Sequence, residues 1–192
     1  MSWSETKLLR DEHSEILANL KDLNPSLEGK MERYVSGVNV PKSTKKEILS
    51  VTGKGKFLGS VFGCHVLNGT GTASIIVEID GVQHQVSVKN TDTSYNMYVF
   101  LVVGCYSDIG DHATSTTGYH RVRFKGVQLD HSSGGGDLYY ANWDEQITIT
   151  EDKAVFAGFT SPIAFNESLK VYSTNSSVVE SANTHVWYTL DE

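Results

Sequence analysis

Histidine is the residue type here that most often serves acid–base catalysis and metal binding, and the chain has seven. They are spread singly and show neither H-E-x-x-H nor H-x-H spacing, nor a cysteine–histidine spacing typical of zinc. We therefore expect no metal and no cofactor. His65 and His84 lie in alternating, strand-like runs, where a satisfied sheet-face residue is the ordinary interpretation. One weak alternative is a cation site around a Ser/Thr/Gly loop, formed by Asp108, Asp111, His112 and His120.

No motif indicates a catalytic nucleophile. The segment from Gly59 to Gly63 contains Ser60, but its spacing differs from G-x-S-x-G, and a strand with small residues is the simpler interpretation. Gly134 to Gly136 lacks the Lys-Ser/Thr and the following helix of a phosphate loop. We therefore expect that the protein is not an enzyme. A glycan-degrading or deacetylating enzyme remains an alternative only if separate loops bring carboxylates together, for example Asp108, Asp111, Asp137 and Asp144.

The loop of residues 130–144 is the most promising binding segment. It places large aromatic rings beside carboxylates in a Gly-rich stretch, a combination that weak sugar sites use. The alternative is that the tyrosines fill the core and that Trp143 packs under the loop or in a subunit interface. The candidate glycan-binding residues are Asp137, Tyr139, Tyr140, Trp143 and Asp144.

Composition and charge narrow the function class. The chain has 192 residues, 39% of them hydrophobic, which suits one folded domain plus an appendage. The formal charge of -7 is concentrated after residue 46, where eight Lys and Arg face sixteen Asp and Glu. Such an acidic surface repels phosphate backbones, so we expect no nucleic-acid partner. Cys64 and Cys105 lack redox or metal spacing and are interpreted as buried free thiols.

A helical arm is predicted at the N-terminus. Apolar residues recur at heptad-like spacing from Ser4 to Leu23, and Met31 and Tyr34 prolong the stripe until Gly37 ends it. So short a helix buries little apolar surface alone, so it needs either its own β-domain or another subunit to pack on. We expect the second, with the arm anchoring or oligomerising the protein. The predicted domains are therefore residues 1–46, arm and connector, and residues 47–192, a β-domain. The residues expected at the oligomer or anchor interface are Leu9, Ile16, Leu20, Leu23 and Leu27, together with the outward-facing Trp187.

From Glu47 onwards the pattern alternates every two residues, which is typical of strands. The predicted strands include residues 82–89, 97–105 and 119–129, and Val82 is predicted on the inner face of the first of these. The clearest element is the run from Ile75 to Val88, in which Asp80-Gly81 joins two β-branched segments as a type I′ hairpin requires. Short strands with one-sided alternation predict an antiparallel β-sandwich, jelly-roll-like in its connections. The fold class is thus mainly β, preceded by the helical arm.

Two stretches of this β-domain resemble modules of bacteriophage tail, baseplate and fibre proteins. The first runs from Lys46 to Val61 through a Gly-x-Gly turn, and continues at Ala73–Gly81, which closes on Asp-Gly. The second joins residues 161–172 to the closing strand at 186–190. The resemblance implies a virion subunit, commonly trimeric, whose arm anchors it and whose β-domain contacts another tail protein or the host surface. No His-x-His iron site of phage spike tips is present in the sequence, so no membrane-piercing role is expected.

The expected function is therefore that of a phage virion structural protein, a tail, fibre or collar subunit that acts by assembly and surface contact. The expected partners are copies of the chain in a homotrimer, other virion proteins and, as a further option, a host-surface glycan. The N-terminus lacks the apolar stretch of a signal peptide, so we expect synthesis in the cytoplasm and no membrane insertion. The resemblance implies that this cytoplasm is that of the host and that the final location is the virion. The alternative is a carbohydrate-binding module that uses the loop of residues 130–144.

Overall fold

The computed structural model describes residues 32–41, 43–66, 71–91, 97–114, 120–131, 138–150, 153–176 and 182–191. Residues Glu32–Leu190 form one compact unit. Its strands are β1 (Glu32–Val40), β2 (Thr44–Thr52), β3 (Gly55–Val66), β4 (Thr72–Ile79), β5 (Val82–Asn90), β6 (Met97–Cys105), β7 (Ile109–Thr114), β8 (His120–Phe124), β9 (Val127–His131), β10 (Leu138–Ala141), β11 (Gln146–Ile149), β12 (Lys153–Phe159), β13 (Ile163–Phe165), β14 (Ser168–Asn175) and β15 (Ala182–Leu190).

The strands form three sheets. Sheet A has the order β1-β15-β3-β6-β12-β10, with β13 also paired to β3. Sheet B has the order β11-β5-β4-β14-β2, and the small sheet C is β7-β8-β9. The predicted mainly β fold is confirmed, and a 3₁₀ turn at Tyr106–Asp108 is the helical element in the part of the chain described above.

Sheets A and B share one hydrophobic core, as in a β-sandwich. On β14, buried residues alternate strictly with partly exposed ones, so one face of the strand meets the core. The core combines side chains from the facing strands of both sheets; among the most deeply buried are Phe57, Phe62, Leu101, Val155, Ile75, Val77, Leu169 and Val171.

The sheets are mixed, which corrects the prediction of a purely antiparallel sandwich. Three pairs run parallel: β10 with β12, β12 with β6, and β11 with β5. After β9 the chain passes from sheet A at β10 to sheet B at β11 and back to sheet A at β12. Turn residues indicate which strands form hairpins, but they do not indicate which strands become neighbours after such crossings.

Residues Glu32–Val40 form β1, so the helix predicted up to Ser36 is wrong for Glu32–Ser36. This segment pairs antiparallel with β15, and its register shifts between Val35 and Val38. Gly37 lies in that shift with φ 59°. The helical prediction had rested on the spacing of Leu27, Met31 and Tyr34, which also fits one face of a helix. The rest of the predicted arm, with Leu9, Ile16, Leu20, Leu23 and Leu27, lies outside the described residues.

The Asp-Gly hairpin is confirmed. Asp80 (φ 49°) and Gly81 (φ 83°) both have the positive φ that a type I′ turn needs, and they join β4 to β5. A second turn of this kind occurs at Lys125 (φ 46°) and Gly126 (φ 79°). It divides what the alternation predicted as one strand, residues 119–129, into β8 and β9.

Part of the outer face of sheet A is covered by Phe124 from sheet C. Its ring lies over Gly59 and Gly104, where an added Cβ would collide with it. Phe124 also meets Trp187 at a ring-centroid distance of 5.4 Å, and Tyr34 stacks on the same indole at 5.0 Å. Trp187 is therefore only 4% exposed. Alternation placed it correctly on the outer face of the sheet, but the expectation that it faces a second subunit is wrong, because this chain covers it.

Candidate functional site

The predicted glycan-binding residues separate into two places. Tyr139 and Tyr140 lie on β10 in sheet A, whereas Trp143 and Asp144 lie in the connection that leads to β11 in sheet B. Asp137 lies outside the described residues. The predicted segment therefore contributes to two surfaces, one at the edge of sheet A and one between the sheets.

The connection between β10 and β11 turns sharply after Ala141. Asn142 donates its backbone N–H to the Glu145 carboxylate across 2.7 Å, and Asp144 adopts a left-handed conformation with φ 62°. Asp tolerates this conformation better than most residues because its short side chain bonds the local backbone. The turn carries Trp143 and Asp144 to the side of β5.

There they form one wall of a groove of about 530 Å³. Residues of the β4–β5 hairpin and Ile163 of β13 also line the groove. Val82, which was predicted on the inner face of β5, is 59% exposed here, because it stands where the core opens to solvent. The lining is mostly apolar: Ile79, Asp80, Val82, His84, Trp143, Asp144 and Ile163.

Trp143 is held against the edge of the core. Its indole stacks on Phe159 at 6.0 Å with an interplanar angle of 16°, and His84 approaches it edge-on at 5.2 Å. One ring face is therefore covered by Phe159, while the residue still lines the groove. Such fixed aromatic surface binds apolar groups at low entropic cost, since few rotamers are lost on binding.

Asp144 supplies negative charge at the rim. Its Oδ1 accepts the backbone N–H of Gln85 across 2.8 Å, and its Oδ2 lies 3.2 Å from Nδ1 of His84. The Gln85 hydrogen bond and, to a lesser degree, His84 lower the pKa of Asp144 below its ordinary value. The carboxylate is therefore ionised at neutral pH, and its side chain remains 58% exposed towards solvent and any ligand.

Asp80 is a second carboxylate at the groove, but its oxygens are taken up by the backbone. They accept the N–H groups of Asn166, Glu167 and Ser168 at 2.7 to 3.1 Å. These bonds, chiefly the one from Ser168, lower the pKa of Asp80. Sequence reasoning gave Asp80 only a turn role. Its hydrogen bonds to residues more than eighty positions away have no local sequence pattern.

A second surface lies at the β10 edge. The rings of Tyr106 and Tyr140 are 6.2 Å apart, both contact Phe156, and they are 45% and 57% exposed. Tyr106 fits there because Gly158 has no side chain to collide with it. Tyr106 was not predicted; its position follows β6, a strand that the sequence predicted correctly, but nothing local paired it with Tyr140.

Asp108, which was considered for a cation site or an enzyme site, has another partner in the structure. Asp108 lies 3.3 Å from Lys125, whose Nζ also reaches Glu32 at 3.1 Å. The side chains of Asp111, His112 and His120 are outside the described set. Within the side chains that are placed, no group of three His, Cys, Asp or Glu residues is arranged to hold a metal ion.

The predicted buried thiol is confirmed for Cys105. It is free and buried, and burial, reinforced by the Asp108 carboxylate, raises its pKa. A raised pKa keeps the sulfur protonated at neutral pH, where a thiol is a poor nucleophile. The backbone of Cys64 lies in β3, but its side chain is not among those described.

Comparisons with known protein families, with curated proteins and with solved structures gave no match. Of the helical structure described, none is long and apolar enough to cross a membrane. The functional interpretation of the groove and of the tyrosine pair therefore depends on their geometry alone. The groove has an apolar lining with an ionised carboxylate, and the tyrosine pair offers exposed aromatic rings; both arrangements suit binding.

Proposed function

We propose that this chain is a structural subunit of a bacteriophage virion, a tail, fibre or collar protein that acts by assembly and surface contact and not by catalysis. The observation that carries the proposal is that the two stretches resembling phage modules join into one unit. β14, from the second stretch, pairs with β2 and β4 from the first, and β15 pairs with β3. Asp80, at the end of the first stretch, binds the backbone of Asn166–Ser168 in the second.

The tyrosines at the β10 edge support a role in contacts between proteins. β10 pairs with β12 on one side, and no described strand pairs with its other side. Tyr139 and Tyr140 are exposed on this strand, and Tyr106 lies beside it. Tyrosine is enriched in protein interfaces, and an unpaired strand edge can accept a strand from another chain. We take this edge as a contact surface of the subunit.

The proposal includes a homotrimer, contacts with other virion proteins, a host-surface glycan as a further partner, and a location in the virion after synthesis in the host cytoplasm. The arm before Glu32 is assigned to anchoring or trimer formation. A jelly-roll-like connection of the strands also belongs to the proposal, supported by the repeated passage of the chain between sheets A and B.

The test is the solution mass by light scattering of the full chain and of a chain that starts at Glu32. A chain that starts at Glu47, the predicted start of the β-domain, is unsuitable because it lacks β1, which pairs with β15. We expect a trimer for the full chain and a smaller species after truncation. A Tyr140→Ser variant tests the edge, with Thr148→Ser on β11 as an exposed-strand control. A monomer at every concentration, unchanged by either variant, would contradict the proposal.

A second candidate is a carbohydrate-binding module, favoured by the adjacent, exposed rings of Tyr106 and Tyr140. Paired aromatic rings stack on the apolar faces of sugar rings, although Trp143 and Asp144 lie in a separate groove. Binding to a glycan array separates the two surfaces. Loss of a glycan signal in Tyr140→Ala would place the sugar at the β10 edge, and loss in Trp143→Ala would place it in the groove. No binding to any glycan would remove this candidate.

A further inference from the structure

The outer edge of β5 is only half covered by its neighbour. β11 pairs with Ser87–Asn90, and the backbone N–H of Ser87 donates to the carbonyl oxygen of Glu145 at 3.0 Å. No strand in the described part of the chain pairs with residues 82–86 on this side. The edge is therefore paired at its C-terminal half and open at its N-terminal half.

Backbone alternation identifies the hydrogen-bonding groups at the open half. The backbone N–H groups of Ser87 and Gln85 point away from β4. Every second residue of a strand directs its backbone groups to the same edge, so the N–H and C=O groups of Gln83 also point away from β4. The Asp144 carboxylate occupies the Gln85 N–H, so the next outward donor and acceptor belong to Gln83. Its side chain is engaged elsewhere, with Glu78 at 2.7 Å, and leaves the backbone accessible. An extended chain placed here would continue the line of β11.

The groove lies directly beside this open edge. Val82 and His84 alternate with Gln83 along β5 and line the groove together with Trp143 and Ile163. A strand added next to Gln83 would direct alternate side chains towards this apolar lining. Backbone pairing combined with pockets for alternate side chains is how strand addition recognises extended peptides.

Charge indicates which side chains such a peptide carries. Both carboxylates at the groove, Asp80 and Asp144, are ionised at neutral pH, and Asp144 is the more accessible of the two because the backbone surrounds Asp80. The remaining lining has no Lys or Arg. A basic side chain on the added strand would form a charge-assisted hydrogen bond with Asp144, whereas an acidic one would be repelled.

We propose that the open half of β5 and the adjoining groove bind an extended segment of a partner protein in which apolar residues alternate with basic ones. The segment pairs with the Gln83 backbone, inserts an apolar side chain between Val82 and Trp143, and places a basic group at Asp144. The site does not depend on whether the chain belongs to a virion.

The probe is a short, capped peptide that alternates valine with arginine, added to the full ¹⁵N-labelled chain. We expect chemical-shift changes confined to the groove and slower hydrogen exchange of the Gln83 amide. The same peptide with N-methyl groups on alternate residues keeps its side chains but has no N–H donors on the methylated edge. With the methylated edge facing β5 it cannot pair with the Gln83 backbone, so it should bind much more weakly. A valine–glutamate peptide should not bind at millimolar concentration.

Two variants test the protein side. Asp144→Asn keeps the left-handed turn and an oxygen for the Gln85 N–H, and should weaken valine–arginine binding about tenfold by removing the charge. Glu47→Gln removes the same charge from β2, at the opposite edge of sheet B, and should leave affinity unchanged. Val82→Thr preserves the branched shape and should weaken binding by reducing apolar contact.

Three outcomes would overturn the inference: no binding of the valine–arginine peptide at millimolar concentration, equal binding of the valine–glutamate peptide, or equal binding of the N-methylated peptide. If the N-methylated peptide binds equally well, backbone pairing does not contribute. A simple apolar cation such as dodecylammonium should then shift the same groove resonances, and the groove would be a small-molecule site. The solution mass measured for the virion proposal is independent of these results, so either proposal can fail alone.

Discussion

The hydroxyl group of Tyr34 donates a hydrogen bond to Nδ1 of His185 across 2.6 Å. The backbone N–H of Gly37 donates to the same nitrogen at 3.3 Å. Since an N–H can only donate, Nδ1 is the unprotonated nitrogen of a neutral imidazole. The imidazole also lies nearly parallel to the rings of Tyr34 and Trp187, at centroid distances of 5.9 and 6.2 Å. These contacts connect β1 to β15, so the attachment of the first strand depends on the charge state of His185.

Acid should weaken the fold through His185. Burial lowers its pKa below the ordinary value of 6.5, so the unfolded chain binds a proton at higher pH than the folded chain does. The contribution of His185 to the free energy of unfolding is therefore fully present above pH 6.5. It is lost as the pH falls through the folded pKa. Urea unfolding between pH 7.5 and pH 5 should show a steeper loss for the natural chain than for His185→Phe, which keeps a stacking ring but cannot titrate.

Tyr34→Phe is the matched control for His185. It removes one hydrogen bond, at a cost of about 1 kcal/mol, but leaves the titrating imidazole in place. Its pH dependence should resemble that of the natural chain. If His185→Phe retains the natural slope, another group causes the acid sensitivity.

Asp80→Asn should destabilise the β13–β14 turn at neutral pH. Asparagine tolerates the positive φ of position 80, so the change isolates the loss of the carboxylate that receives three backbone N–H groups. The pKa of Asp80 lies below 3.8, so its stabilising contribution is present above that pH and is lost as the pH falls through the folded pKa. The urea midpoint of Asp80→Asn should be lower at pH 7, and the two proteins should converge near pH 2. A constant difference would contradict the mechanism.

Gly104→Ala should be costly because of Phe124. The added methyl group would meet the phenyl ring that lies over β6, and a forced shift in a packed cluster costs about 1–3 kcal/mol. Gly63→Ala is the control: its Cβ would meet the Phe100 ring at 3.3 Å, a contact that a small movement relieves. Thermal unfolding measures both. Added to a Phe124→Ala background, Gly104→Ala should cost little, because the ring is gone.

Ser173 and Thr184 should show coupled stability. Their hydroxyl groups are 2.8 Å apart and fully buried, and they join β14 of sheet B to β15 of sheet A. Ser173→Ala or Thr184→Val leaves the other hydroxyl without this partner and should cost about 1–3 kcal/mol. The double variant should cost less than the sum of the two. Additive losses in urea unfolding would show that the hydrogen bond contributes nothing specific.

Local patterns were sufficient for much of the secondary structure. Alternation predicted β6 at its observed bounds, residues 97–105, and the Asp80-Gly81 dipeptide predicted its hairpin. Both depend on residues that are adjacent in sequence, since side chains alternate along a strand and a two-residue turn needs positive φ at both positions. Where apolar residues happened to be spaced as on a helix, as at Met31 and Tyr34, the same reasoning predicted a helix and was wrong for Glu32–Ser36.

The sequence by itself thus determined the mainly β class, the Asp80-Gly81 hairpin, and the aromatic and acidic character of residues 138–144. Only the tertiary structure decided that Tyr140 joins Tyr106 while Trp143 joins His84, that Phe124 covers Trp187, and that the sheets contain parallel pairs. The physical reason is that these relationships depend on where the chain crosses between sheets. Crossings are fixed by the packing of distant side chains in a shared core, which leaves no periodic trace in the local sequence.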